Sequence, residues 1–581
     1  MPRWHIPLPR PTRDGSSKPS RNPLRTVVEK IATYLRSLPP SDRIIAYALL
    51  GIIAVLGLSS LYALERTFLV EVPARGGTLT EGIIGFPRFV NPILAISDTD
   101  KDLAALTFAG LMGHDGKGAL IPVIAEHYEL SEDGKVYTFT LRDNVTFSDG
   151  TPITADDVVF TIEKVQDPEL KSPVYANWAN IHVESVDART VRFTLPKAYA
   201  PFLEDATLGI LPSHLWRDVR NEEFAFSPLM TEPVGAGPFK VTSFSRGKNG
   251  IISSYTLHAF NGFALSRPYL DSITVKLYKD EDELLDALRK HQIESAYGTP
   301  DPNALRVPYA RVFGIFFNTN ENKALESLAV RKALSLALDR DAIVNDILGG
   351  YATPIMGPVP PGSGVTLTQV PAVSGDIEGA SEVLTEAGWV YDEEARVWKN
   401  DKEKRELRLT LRTANVPELK LVAQKAQEDF ARLGVPTALE VFEPSALTQE
   451  VIRPRKYEAL LFGMVVGQER DLYAFWHSGE RSDPGLNIAL YSNKSVDALL
   501  EKIRSVSNLE ERLDGLATIE REIGGDYPAV FTHAPEFTYT LPKDLRGVAL
   551  TQIASPSDRF MDVHSWYRKS EAVWPWFRKS P

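Results

Sequence analysis

From Ile44 to Leu64 the chain reads IIAYALLGIIAVLGLSSLYAL, 21 positions without a charge. That length matches the ~20 residues a helix needs to cross a hydrocarbon layer of ~30 Å. Tyr47 and Tyr62 stand near the two ends, where a membrane interface favours them. A buried core helix is the competing reading, but such helices rarely run this far uncharged. Ahead of this stretch, Leu24, Val27, Val28, Ile31, Tyr34, Leu35 and Leu38 recur at helical spacing, with Arg25, Lys30 and Arg36 elsewhere. This pattern predicts either a helix lying on anionic lipid or a basic tail that only sets topology.

Further on the periods change. His127 to Leu141, HYELSEDGKVYTFTL, holds two strand-like runs around a Ser-Glu-Asp-Gly turn, with Tyr137, Phe139 and Leu141 alternating, which predicts a hairpin. In TFSDGTPITADDVVF, Thr146 to Phe160, Ser148-Asp149-Gly150 predicts a turn and Pro152 stops the chain. Thr154-Ala155-Asp156-Asp157 then has the form of a capping box, opening a helix whose Val158, Val159 and Ile162 face inward. The three aspartates thus have local structural work, and no further ligand converges on them as a calcium loop requires.

RVFGIFFN from Arg311 predicts a buried strand, and Leu328 to Leu338 a helix. A second helix restarts at Asp339 or Asp341 and is stopped by Gly349-Gly350. Leu407, Leu409 and Leu411 predict a strand, Pro417 to Leu433 a helix and Thr437 to Val441 another strand, a βαβ unit and hence a parallel sheet. Tyr457 to Val466 reads as a strand buried on both faces. No repeat of fixed period appears.

At 581 residues the length argues for roughly three to four folding units. The absence of cysteine removes disulfides, thiolate nucleophiles, cysteine-ligated metals and a lipid-modified cysteine anchor. Charge is divided unevenly: residues 1–43 carry nine Lys/Arg against three acids, whereas residues 44–581 carry a net −18. The basic tail is expected to stay cytoplasmic and the rest to be exported. A cleaved leader competes, but 43 residues ahead of the apolar run is long, and Leu61 stands where a cleavage motif wants a small residue, so an uncleaved anchor is expected. An exported part this acidic is a poor nucleic-acid binder.

Catalytic constellations are incomplete. Gly235-Ala236-Gly237 lacks the third glycine of a dinucleotide loop, because Lys240 stands there. Gly113 to Gly118 lacks P-loop spacing, and Ser245-Arg246-Gly247-Lys248 lacks the companion elements of an SxxK enzyme. The ten histidines make no HExxH and no i, i+4 pair. Among them His477, beside Phe475 and Trp476, attracts interest as a cleft residue, against a plain rim role. No cofactor and no metal is expected.

The order of elements resembles the family-5 extracellular solute-binding proteins, peptide- and nickel-type receptors of ABC importers. The resemblance covers roughly residues 75–550. It rests on Gly76-Gly77-Thr78-Leu79, on SEDGKVYTFTLRDNVTFSDGTPITADDVVF from Ser131 to Phe160, on Gly235 to Phe239, Phe317-Asn318-Thr319, Val330 to Leu334, Ala387-Gly388-Trp389, Phe430 to Val435 and Asn487 to Leu499. It implies a two-lobed α/β periplasmic-binding-protein-like fold (class II, large peptide-binding type) behind one transmembrane helix. The expected division is a tail over 1–43, an anchor over 44–64, lobe I over 65–310, lobe II over 311–525 and a return to lobe I over 526–581. Ligand would be held between the lobes and passed to an ABC permease.

Peptide-binding members of the family hold peptide by main-chain bonds to a Gly-Trp-x-x-Asp segment, whose Asp meets the peptide amine. The matching stretch here looks like Gly463-Met464-Val465-Val466-Gly467, with Met464 for Trp and Gly467 for Asp. The resemblance implies main-chain roles for Gly463 and Val465. The amine anchor is missing, with Glu469 or Asp471 as replacements unless both face solvent. Phe86, Arg88, Phe89 and Asn91 are cleft candidates by position, joined by Phe317, Asn318, Trp476 and His477. The expected job is a membrane-tethered receptor for a short peptide or other small molecule. The rivals are a sensory receptor of the same fold and an exported hydrolase.

Overall fold

The computed structural model describes residues 23–365, 374–400, 402, 404–467, 470–506 and 508–574, with backbone alone for 23–28, 31 and 61–67. It divides into two units: Met1–Val72 with Ser570–Pro581, and Pro73–Lys569. In the first, α1 (Pro23–Ser37) is followed after a two-residue break by α2 (Pro40–Phe68). Over Pro40–Ser60, α2 is long and apolar enough to cross a membrane, and none of that stretch is buried. The Arg43 guanidinium donates to the Arg36 carbonyl at 2.5 Å and the Leu38 carbonyl at 3.0 Å. It thereby supplies donors to carbonyls that the end of α1 leaves open.

The second unit is organised around a twelve-stranded sheet. Its strands are β1 (Thr78–Ile84), β2 (Phe239–Arg246), β3 (Ile252–Ala259), β4 (Ser272–Tyr278), β5 (Ser295–Tyr297), β6 (Leu305–Pro308), β7 (Arg311–Phe317), β8 (Ala352–Pro354), β9 (Leu409–Ala414), β10 (Thr437–Phe442), β11 (Ala459–Val465) and β12 (Ala529–Thr540). Their order is β10-β9-β11-β7-β12-β5-β1-β4-β3-β2, with β6 and β8 also paired to β12. Helices packed around the strands include α3 (Asp98–Thr107), α5 (Leu328–Ala337), α6 (Pro417–Arg432), α7 (Lys494–Ser505) and α8 (Leu509–Asp526), whereas α4 (Ala155–Gln166) packs against a separate, smaller sheet.

The βαβ unit forms as its periodicity predicts, with β9 and β10 parallel on either side of α6. The parallel expectation does not extend to the whole sheet. β1 runs parallel to β4 and β5, whereas β7 is antiparallel to both β11 and β12. The predicted hairpin, Ala125–Leu130 with Val136–Leu141, lies in a separate four-stranded sheet that buries Tyr137, Phe139 and Leu141. Beside it α4 opens on the expected capping box: the Thr154 N–H donates to Asp157 at 2.8 Å. Asp157 also accepts the Ser213 N–H at 3.0 Å, and Asp149 accepts the Thr151 N–H at 2.9 Å. The motif Gly235-Ala236-Gly237 is a packing device. A Cβ at Gly237 would lie 2.5 Å from the Thr107 backbone, which Gly237 N–H approaches to 2.9 Å.

Hydrophobic cores form on both sides of β12. Val307, Phe537, Tyr539 and Trp566 pack with Leu79, Leu103 and Ile273 in one. Ala529, Phe531 and Ala534 pack with Phe316, Leu460 and Ile519 in another. The first is pinned by a fully buried ion cluster. Arg559 donates bidentately to Asp102 (2.8 and 2.8 Å) and to Glu81 (3.0 Å), whose other oxygen accepts from Tyr539 at 2.9 Å and from Ser295. Burial pushes the Asp102 carboxyl up to about 6, with Arg559 opposing and Glu81 adding to the rise. Arg559→Met leaves two buried carboxylates without their cation. It is expected to cost about 3–5 kcal/mol in urea unfolding, because the orphaned charges lose their compensation.

On the other side, Glu520 of α8 is buried with one N–H partner, that of Val359 at 2.8 Å. Burial pushes its carboxyl up to about 7 from an ordinary 4.5. Between those values the folded chain holds a proton that the unfolded chain has lost, so stability falls as pH rises through that window. Glu520→Gln keeps an acceptor for Val359 and removes the ionisation. Denaturation at pH 5 and pH 8 should show the variant gaining on the wild type at the higher pH, on the order of 1–3 kcal/mol.

Candidate functional site

Where the cores meet, the chain crosses twice. β6 ends at Pro308, β7 begins at Arg311, and both pair with β12. β12 changes partners in turn: Phe537 and Glu536 face Val307 and Pro308, whereas His533 faces Phe313 and Pro354. The change falls at Pro535, which has no N–H to give a ladder. The Tyr309 N–H donates to the Pro535 carbonyl at 3.1 Å and ties the two crossings together.

Side chains at this junction are aromatic and cationic. The Arg311 guanidinium lies 3.9 Å over the Tyr309 ring and donates to its hydroxyl at 2.5 Å. Burial pushes the Tyr309 hydroxyl up to about 12; Arg311 opposes this and Asp98 adds to it, so the phenol is neutral near pH 7. Phe313 stacks on His533 with ring centroids 4.8 Å apart. Burial pushes that imidazole down to about 4, so it too is neutral.

The segment Gly463 to Gly467 lies beside these crossings. The Val466 N–H donates to the Ala310 carbonyl at 2.9 Å, which fixes the alternation of the antiparallel β7–β11 pair. Met464 and Val466 therefore face β7, and Gly463 and Val465 turn their N–H and C=O to the other side. On that side the pairing of β11 with β9 covers Ala459 and Leu460. Val465 is 51 % exposed while Met464 is 3 % exposed, so this edge reaches the surface at Val465 and the Met464 side chain does not. Gly463 is required by contact: a Cβ there would sit 2.6 Å from the Phe313 ring.

The other predicted residues separate into two groups. Phe86 and Arg88 are exposed, Phe89 is half-buried, and the Arg88 guanidinium lies 4.7 Å over the Phe89 ring. Their backbone is set by Asp100, which accepts the Arg88 and Phe89 N–H groups at 2.7 and 2.8 Å. Asn91 is buried and its oxygen caps Ile93 N–H at 3.0 Å, leaving the Nδ2 without a partner. Phe317 and Asn318 sit inside the structure. Phe317 is 1 % exposed, and Asn318 spends its amide on the Arg455 carbonyl and its oxygen on Asn320 N–H, so neither presents a side chain to a ligand. Trp476 is buried; His477 stacks on Tyr473 at 4.2 Å and accepts the Gly479 N–H.

Asp471 faces the protein rather than solvent, paired with Arg504 at 3.0 Å, and Glu469 lies outside the described residues. Arg504 was not singled out by the sequence, yet it bridges the seam. Its guanidinium lies between the Tyr199 ring (4.9 Å) and the Tyr473 ring (4.3 Å), and its carbonyl accepts the Ala200 N–H at 2.7 Å. Nearby, burial lowers the pKa of the half-buried Arg470, and the Glu204 carboxylate opposes that shift. Tyr199, Tyr309, Arg311, Arg504 and His533 had no motif to announce them; their significance lies in partners far along the chain. Among the described residues no group of three His, Asp or Glu is placed to hold a metal ion. The arrangement offers a main-chain edge, aromatic faces and cations at a junction of two cores.

Residues 119–483 match the family model described as bacterial extracellular solute-binding proteins, family 5, middle. The oligopeptide-binding protein AppA of Bacillus subtilis is 27 % identical over 514 residues, covering 85 % of this chain and 92 % of AppA. The solved substrate-binding protein CtaP of Listeria monocytogenes superposes with a TM-score of 0.70 at 27 % identity, over 85 % of this chain and 100 % of that one. NikZ of Campylobacter jejuni, solved with Ni(L-His), superposes at 0.64 with 26 % identity, over 84 % and 99 %. Two cores meeting along shared strands are thus the two lobes of a known class II architecture, and the chain belongs to the family-5 bacterial extracellular solute-binding proteins.

Proposed function

We propose that this protein is a membrane-anchored extracytoplasmic receptor that closes two lobes around a short peptide and delivers it to an ABC importer without breaking a bond. The observation that carries the reading is the open main-chain edge at Gly463 and Val465, next to the only strand, among those described, that pairs with both lobes. An extended peptide added to that edge satisfies its own amides there, which is the strand-addition mode. AppA, named for oligopeptides, supports peptide over the nickel chelate bound by NikZ. Lobe I is proposed to comprise residues 65–310 with the C-terminal return, and lobe II the residues between; the partner change of β12 favours placing the return at Pro535. The apolar helix α2 and the basic residues before it support a single-pass anchor with residues 1–43 in the cytoplasm.

Closure is favoured only by a ligand that binds the closed state more tightly than the open one. The chain lacking residues 1–64 should therefore melt higher with its peptide, gaining about 2.7 kcal/mol at 100 times Kd. A panel of peptides, opines, sugars and metal chelates giving no rise defeats the proposal. Strand addition has its own test: N-methylating alternate amides of a bound peptide should weaken it by at least about tenfold. Arg504→Ala removes the bridge between Tyr199 and Tyr473. Small-angle scattering should show an expanded unliganded form and calorimetry roughly tenfold weaker binding, with compaction restored at saturating peptide.

A further inference from the structure

The helix α1 has a sidedness that anchoring does not require. On an ideal helix of 100° per residue, positions 24, 27, 28, 31, 34 and 35 fall within an arc of roughly 120°. Arg25 and Arg36 occupy one flank of that stripe and Lys30 the other. α1 is joined to α2 through Leu38 and Pro39 alone, and Arg43 holds the turn through the Arg36 carbonyl of α1 and the Leu38 carbonyl of the link. Tyr34 and Leu35 face Ala46, Leu49, Leu50 and Ile53 of α2 across a wedge of about 570 Å³, with Lys30 at its rim. Tyr34 and Leu35 are thus turned toward the same space that the uncharged surface of α2 occupies. Tyr34 is 69 % exposed and Ile53 64 %, so protein does not cover this surface.

We infer that α1 is an interfacial helix that recognises anionic phospholipid, its apolar stripe among the acyl chains and Arg25, Lys30 and Arg36 on the headgroup phosphates. This rests on the anchor proposed above. The charge fits the partner: residues 1–43 carry nine Lys/Arg against three acids. Each cation near an anionic leaflet adds about 1 kcal/mol of attraction. The position fits as well, because a two-residue link from a spanning helix leaves α1 at the headgroup level. Such a helix fixes the depth and tilt of the span by which the receptor is held.

The chain has no cysteine, so one introduced thiol reports from one place. The full-length protein carrying Tyr34→Cys, labelled with an environment-sensitive dye, is reconstituted into neutral phosphatidylcholine vesicles and into vesicles containing phosphatidylglycerol. The dye is expected to be shielded from an aqueous quencher in the anionic vesicles and accessible in the neutral ones. Replacing Arg25, Lys30 and Arg36 by Gln should abolish that preference, which the three cations set at roughly 100-fold in partition. Equal accessibility in both lipids, or shielding that appears only when a partner protein is added, overturns the inference. Ile53→Cys separates the two readings. Shielded in both lipids, it upholds the span while position 34 decides α1; accessible in both, it overturns the anchor and the interfacial helix together.

Discussion

The backbone ladder of β12 constrains everything else in the larger unit. One strand of twelve residues gives the first half of its hydrogen bonds to β7 and β8 and the second half to β5 and β6. Each lobe is completed by a piece of the same strand, so neither lobe's sheet is whole without the other's chain. A buried backbone group without a partner costs on the order of a lost hydrogen bond, which makes slippage along β12 expensive. Rotation about its midpoint is cheaper, because Pro535 contributes no ladder N–H there. The strand fixes where the lobes meet and leaves open how far apart they stand.

Contacts on the front of the seam have a different character. Arg504 meets Tyr199 and Tyr473 through ring faces and Asp471 through a partly exposed ion pair. Such interactions are worth about 1 kcal/mol each and are remade easily with water or ligand. The Arg559 cluster is the opposite case: fully buried, bidentate and internal to one lobe. Dry, buried electrostatics are internal to that lobe, and weaker, partly exposed electrostatics span the seam. A clamp of buried ion pairs across the seam would hold the lobes together more tightly than these contacts do.

The missing amine anchor acquires a physical setting here. Gly467 adopts a positive φ of 80°, a conformation that suits glycine and resists most side chains. Asp471, four residues on, is already committed to Arg504 and to the Tyr473 N–H. What this edge offers is main chain and aromatic faces, those of Tyr309 and Phe313. The Arg311 guanidinium, stacked on Tyr309 beside this edge, adds a fixed positive charge.

Local chemistry was legible in the residues. The uncharged run of α2, the capping box at Thr154, the hairpin around Asp133-Gly134 and the βαβ unit all form within two to four residues of their predicted limits, because caps, turns and periods are encoded by neighbours. The resemblance implied main-chain roles for Gly463 and Val465; the register of β7 with β11 turns their N–H and C=O away from β7, and the Phe313 ring beside Gly463 was not readable from the motif. Phe317 and Asn318 misled as cleft candidates because a motif shows that a residue matters, not whether it faces a ligand or a core. Strand direction, the crossing at Pro535 and the Arg504 bridge were beyond reach. Each joins residues separated by scores or hundreds of positions, as Val307 is from Phe537, and nothing within a helix turn or a strand pleat records which distant partner will complete it.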